Sequence, residues 1–219
     1  MGPFSGTSAL IKERLNSEIS SLKKPVERIC SLIIDDMSIR EKMFYSRSED
    51  RIYGLSNCKN QNVGEHVDQA NKMLCFVIHG LSTRYTIPAG YFFHSNLSVE
   101  TYHSITLNVL ELLTSCGFIV LRIVTDDFSA NVKLFKILCN GTLSNSIAHP
   151  FLAPMPLFLS FDYCHALKNA RNLFLQREMN SSADIISSEY LKKTIWPSKR
   201  SAYKTSKEFN KKTFISFEF

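Results

Sequence analysis

The chain has 219 residues, 44% hydrophobic and 11% aromatic, enough to bury one good core and too apolar to stay disordered. Its 26 Lys and Arg against 20 Asp and Glu leave a net charge of +6. Residues 187 to 219 supply +5 of it, with eight basic residues against three Glu, which suits a polyanionic partner. No apolar run reaches the roughly 18 residues of a membrane span, and residues 1 to 7 lack the layout of a secretion signal. The six cysteines contain no C-x-x-C pair, so neither zinc nor a disulfide framework is expected and the protein is expected inside the cell.

Residues 7 to 24 place Ile11, Leu15, Ile19 and Leu22 at helical spacing, predicting an amphipathic helix that stops before Pro25. Ser31-Leu-Ile-Ile-Asp-Asp-Met-Ser38 predicts a short buried strand whose end carries two carboxylates. Arg40 to Tyr45 and Arg51 to Leu55 predict strand pieces around a polar turn, followed by an Asn/Gly-rich loop from Ser56 to Gly64. Met73 to His79 and Ile87 to Phe93 predict two more strands, Pro88 near the start of the second. They form an antiparallel group beside the first acidic strand.

The period then changes. Val99, Tyr102, Ile105, Val109, Leu112 and Cys116 recur at three and four residues, with Ser98 as N-cap and Gly117 just past the end. This crossover helix leads into Phe118 to Asp127, a second apolar strand ending in paired aspartates, Asp126 and Asp127. Ser129 to Cys139 predict a shorter helix with Val132, Phe135 and Cys139 inward and Gly141 closing it. Leu157 to Phe161 predict another strand, and Ala166 to Gln176 a helix. His165, Lys168, Asn169 and Asn172 share one face of that wheel, and Leu167, Ala170 and Phe174 the opposite one. The polar face suits phosphate.

A lone aspartate at a strand end serves readily as a turn or cap residue. Two acidic strand ends in one chain point further: if the strands are parallel neighbours, Asp35 and Asp126 meet at their carboxyl ends, where α/β sheets place their sites. Close carboxylates need a cation between them, and an all-oxygen site suits Mg²⁺ or Mn²⁺. That donor set belongs to metal-assisted phosphoryl transfer. No G-x-G-x-x-G, Walker or G-x-S-x-G pattern is present, which argues against a small-molecule α/β enzyme.

Several strands, a helix, a strand, a helix, a strand and a helix is the element order of a ribonuclease H-like fold, with acids on the first and fourth main strands. Five blocks carry a resemblance to the P-element-type transposases and their THAP-domain relatives. Leu32-Ile-Ile-Asp-Asp-Met-Ser-Ile-Arg40 resembles the family's Asp-Glu-Met block, with Asp36 in the place of Glu, and Arg51-Ile-Tyr-Gly54 resembles the Gly block after it. Ile87-Pro-Ala-Gly-Tyr-Phe-Phe93 resembles Lys-x-Pro-x-x-Tyr-Phe-Phe, with Thr86 for the Lys. Thr125-Asp-Asp-Phe-Ser-Ala-Asn131 resembles Cys-Asp-Gly-x-x-x-Asn, with Asp127 in the Gly place. Asp162-Tyr-Cys-His-Ala-Leu-Lys-Asn-Ala-Arg-Asn172 resembles Asp-x-x-His-x-x-Lys-x-x-Arg-Asn.

The resemblance implies an α/β, ribonuclease H-like mixed sheet flanked by helices: an N-terminal helical segment at 1–28, the core at 29–176 and a basic tail at 177–219 that starts an interrupted insertion domain. It implies DNA cleavage and strand transfer with Mg²⁺ or Mn²⁺, Asp35 and Asp126 as catalytic and metal-binding residues, and His165, Lys168 and Asn172 against DNA. A homo-oligomer and a nuclear or nucleocytoplasmic location, with no membrane, are further expectations. GTP belongs to full-length members and is not expected for this chain. The family's third acid, a Glu beyond a large insertion, is not matched here. The alternative is therefore a truncated or domesticated remnant that keeps DNA or protein binding without chemistry.

Overall fold

A computed structural model describes residues 6–48, 50–56, 58, 68–176, 179–180 and 185–186. Helix α1 (Ala9–Ser21) starts where Ser8 Oγ accepts the Ile11 N–H. It buries Leu15, and Leu22 just past its end is buried as well, while Ile11 and Ile19 pack partly against the core. Pro25 opens a separate 3-10 turn, Pro25–Arg28, because proline can begin a helix but cannot donate within one.

The strands follow in order: β1 (Ile29–Ser38), β2 (Phe44–Ser46), β3 (Arg51–Tyr53), β4 (Lys72–Gly80) and β5 (Thr86–His94). Then come α2 (Val99–Cys116), β6 (Ile119–Thr125), α3 (Ser129–Leu138), β7 (Ser146–Ala148), β8 (Pro156–Phe161) and α4 (Tyr163–Gln176). Six of the strands form one mixed sheet in the order β5-β4-β1-β6-β8-β7. β4 runs antiparallel to β1 and to β5, β6 runs parallel to β1 and to β8, and β7 closes the far edge antiparallel to β8. Helix α2 makes the return that a parallel β1–β6 pair requires.

Strand alternation sorts the side chains. Leu32 and Ile34 of β1, Leu74, Phe76 and Ile78 of β4, Val120 and Ile123 of β6 and Leu157 and Leu159 of β8 are buried in one cluster with Ile105, Val109, Leu110 and Leu113 of α2. Ile33 and Phe158, out of phase with these, stay exposed. The fold is therefore a mixed α/β sheet flanked by helices, as the element order implied.

Several local expectations need correction. The piece expected from Arg40 is strand only from Phe44 to Ser46, paired with β3 in a hairpin separate from the main sheet. Helix α3 buries Asn131, Leu134 and Phe135, whereas Val132 and Cys139 are only half-buried. Its wheel is rotated because Asn131 turns inward to meet Tyr102. Helix α4 starts at Tyr163, three residues before Ala166, since Asp162 Oδ1 accepts the Cys164 N–H at 2.9 Å and acts as its cap. No strand was expected at 146–148, where β7 lies.

Among the described residues no helix is long and apolar enough to cross a membrane. The described residues fall into two units, divided after Ala166. The second holds the rest of α4 and the antiparallel pair β9 (Met179–Asn180) and β10 (Ile185–Ile186). The remainder of the basic stretch at 177–219 lies outside the described residues.

Candidate functional site

β1 and β6 are parallel neighbours, as the acid-pair reading required, and their last registered step pairs Ile33 with Val124. Asp35 and Asp126 each follow two residues later, at matching positions at the carboxyl end of the sheet. A third aspartate joins this series. Val124 is registered with Ser160 of β8, so Asp162 also falls two residues beyond the same step. Sequence reading quoted Asp162 in a motif and named it, with Glu189, as a candidate ligand only if the chain proved active. It did not align Asp162 with the other two acids, because the β6–β8 register that does so is long-range information.

Within the first acid pair the two carboxylates have different surroundings. Asp36 alternates to the α2 side, where its oxygens meet Lys72 Nζ at 3.1 Å and His94 Nε2 at 3.0 Å. Burial alone would raise its pKa, but the hydrogen bonds from His94 and Lys72 outweigh that and hold it below the ordinary carboxylate value. Asp35 faces the other way, opposite Cys75 of β4. The Cys75 thiol is pushed up by burial, then by Asp35 and Asp36. Asp35 Oδ1 takes only the Asp36 backbone N–H, at 3.0 Å, and among the described residues no cation pairs with Asp35 or Asp126.

Asp126 is curled just past β6. Its Oδ1 accepts the Phe128 N–H at 3.0 Å and Asn131 Nδ2 at 2.5 Å. Asn131 Oδ1 in turn accepts the Tyr102 hydroxyl at 2.7 Å. Burial and the carboxylates of Asp36, Asp126 and Asp35 push the Tyr102 phenol well above its usual pKa, so it is a neutral donor. All three acids thus act on one buried phenol. A cavity of about 330 Å³ opens there, lined by Asp36, Lys72, His94, Tyr102, Asp126 and Asn131 among others. It brings Asp126 together with Asp36; Asp35 does not line it.

The donors fit a hard divalent cation in kind: Asp35 and Asp126 carry carboxylate oxygens at adjacent strand ends, and among the described residues neither pairs with a cation, although of the two only Asp126 lines the cavity. Between Asp36 and Asp35, only Asp35 is uncommitted to a cationic side chain. The set is not a full cage. Among the described residues no group of three or more His, Cys, Asp or Glu is arranged to hold a metal. Asp162 is occupied with the α4 cap and stands 3.9 Å from His165 Nε2.

His165 is exposed in the first turn of α4. Lys168 and Asn172 lie further along the helix, in the second unit, Lys168 exposed and Asn172 half-buried with its Oδ1 accepting from Arg171 at 3.1 Å. Sequence reading missed the partners of Asp36, Lys72 and His94. They are registered with each other across β4 and β5, and no local pattern announces that pairing.

The transposable element P transposase of Drosophila melanogaster is 25% identical over 169 residues, covering 77% of this chain and 20% of that protein. The human DNA transposase THAP9 is 23% identical over 171 residues, covering 73% of this chain and 19% of that protein. The chain therefore spans about a fifth of the length of these curated relatives. In fold, the Drosophila P element transposase strand transfer complex superposes with a TM-score of 0.66 at 18% identity, covering 86% of this chain and 38% of that one. Residues 5–139 match the family described as TNP-like, RNase H N-terminal domain, and the chain belongs to that family.

Proposed function

We propose that the chain provides the ribonuclease H-like portion of a transposase that cuts and joins DNA, with Asp35 and Asp126 as its metal ligands. The carrying observation is the parallel β1–β6 pair, which sets both aspartates two residues past the same registered step. Asp35 and Asp126 would hold a divalent ion, which would supply Lewis-acid stabilisation of the charge that develops in phosphoryl transfer. The chain's own residues prepare that place. Asp36 is paired with Lys72 and hydrogen-bonded to His94; the Lys72 charge limits the negative charge crowded at the strand ends, and Asn131 holds Asp126.

DNA is the proposed partner, met by the basic stretch from 187 to 219 and by the α4 face carrying His165, Lys168 and Asn172. Action on chromosomal DNA would suit a nuclear or nucleocytoplasmic location. Mn²⁺ titration of the 219-residue chain, followed by paramagnetic resonance, tests the reading. Bound Mn²⁺ should be lost in Asp35→Asn and in Asp126→Asn. Equal binding by wild type and both variants would sink the metal assignment and leave only the shared fold.

A further inference from the structure

We propose that Asn131 is a positioning residue for Asp126, and that the buried hydroxyl of Tyr102 fixes the orientation in which it works. The inference rests on the metal reading above and deepens it. Asp126 has left β6, so no strand pairing holds its side chain. Two donors hold it instead, the Phe128 N–H and Asn131 Nδ2, and both reach Oδ1. Oδ2 therefore keeps its lone pairs for a ligand, and among the described residues no donor occupies it.

The amide of Asn131 could in principle face either way, and its partners decide. A carboxylate only accepts, so Nδ2 must face Asp126, and Oδ1 is then left needing a donor inside the core. Tyr102 supplies it at 2.7 Å. Both residues are mostly withdrawn from bulk solvent, Asn131 at 8% and Tyr102 at 4% exposure. Without the hydroxyl, a flipped amide would set its oxygen against the Asp126 carboxylate. The chain Tyr102–Asn131–Asp126 thus ties the acid to α2 and α3, two elements packed on the core, and selects which of its oxygens is available.

The test is Mn²⁺ titration, read by paramagnetic resonance, of wild type, Asn131→Ala, Tyr102→Phe, the double variant and Asp126→Asn. All are measured well below the melting temperature that circular dichroism gives for each. Groups that orient a metal ligand typically change affinity 10- to 100-fold when removed, so Asn131→Ala should weaken Mn²⁺ binding by about tenfold or more. Tyr102→Phe should cause part of that loss. The double variant should bind no more weakly than Asn131→Ala, since the hydroxyl acts only through the amide.

A merely structural pair would lower the melting temperature and leave Mn²⁺ affinity unchanged. Wild-type affinity in Asn131→Ala, with binding lost in Asp126→Asn, would overturn the positioning role and spare the metal reading. Wild-type affinity in Asp126→Asn would remove the metal reading and this inference with it. Additive losses in the double variant would overturn the role of Tyr102. Should Asn131→Ala not fold, Tyr102→Phe, which removes one oxygen, carries the test: unchanged affinity there overturns the relay.

Discussion

At Asp36 the two partners, Lys72 and His94, do more than meet the carboxylate, because each is itself placed at the strand end by its own register. Asp36→Ala would leave His94, which is 3% exposed, without its acceptor. We expect a loss of about 1–3 kcal/mol, the usual cost of leaving a buried polar group unsatisfied, measured by urea unfolding. Mn²⁺ affinity should stay within a few-fold of wild type, since Asp35 is the proposed ligand. Loss of Mn²⁺ binding without loss of stability would reverse the roles of the two neighbours. Asp162→Asn should also leave Mn²⁺ affinity intact, because that side chain caps α4.

His149 offers a test by pH. Its Nδ1 accepts the N–H groups of Phe151 and Leu152, both at 3.1 Å, and its pKa is lowered by burial, with the Val120 backbone opposing in part. A lowered folded pKa means that the unfolded chain takes the proton first. Stability from this group is therefore full above the ordinary imidazole value of about 6.5 and is lost as pH falls below it toward the folded value. Urea midpoints across that range should show the decline. His149→Asn, which presents Oδ1 where Nδ1 stood and does not titrate, should lack this component; an unchanged pH profile would refute the assignment.

Among the elements, α2 was fully readable in the sequence because everything that defines it is local. Its apolar period, its Ser98 cap bonded to the Thr101 N–H at 3.1 Å and its terminal Gly117 at φ 97° all lie within one stretch. Gly117→Ala places a methyl at an ordinary 3.6 Å from Ile19 Cγ1, so its cost is conformational, roughly 1–2 kcal/mol for an L-residue in the left-handed region. A melting-temperature drop of about 2–8 °C should follow. No drop would mean that the helix end refolds around the change.

Helix α3 was harder to read. Its apolar residues allow Val132 or Leu134 to face inward, and the choice is made by the hydrogen bond from Tyr102, 29 residues away. Strand β7 has three residues and one partner, so its pairing with β8 is a product of assembly that propensity cannot show. The acid pairs were visible and their adjacency was a fair deduction. Which acid of the first pair is already paired was not, because Lys72 and His94 come from β4 and β5.

Across the molecule, the proposed metal binding would be linked to folding. A cation that binds only the folded chain should raise stability by about 2.7 kcal/mol at a hundredfold excess over its Kd. Mn²⁺ should do so for wild type and not for Asp126→Asn in thermal melts. DNA association should be salt-sensitive, with a log–log slope of about −0.9 per neutralised phosphate on duplex DNA. Truncating residues 187 to 219 should flatten that slope in fluorescence anisotropy; an unchanged slope would remove that stretch from the interface.

The strand order β5-β4-β1-β6-β8-β7 leaves β1 and β6 flanked on both sides while β5 and β7 form the borders. Fraying begins at borders, so amide protons of Leu32 to Ile34 and of Val120 to Val124 should be among the last to exchange with deuterated solvent. The acids are anchored to the slowest-opening part of the sheet. Local breathing of its margins therefore leaves their spacing undisturbed, and a core built this way tolerates restlessness at its rim.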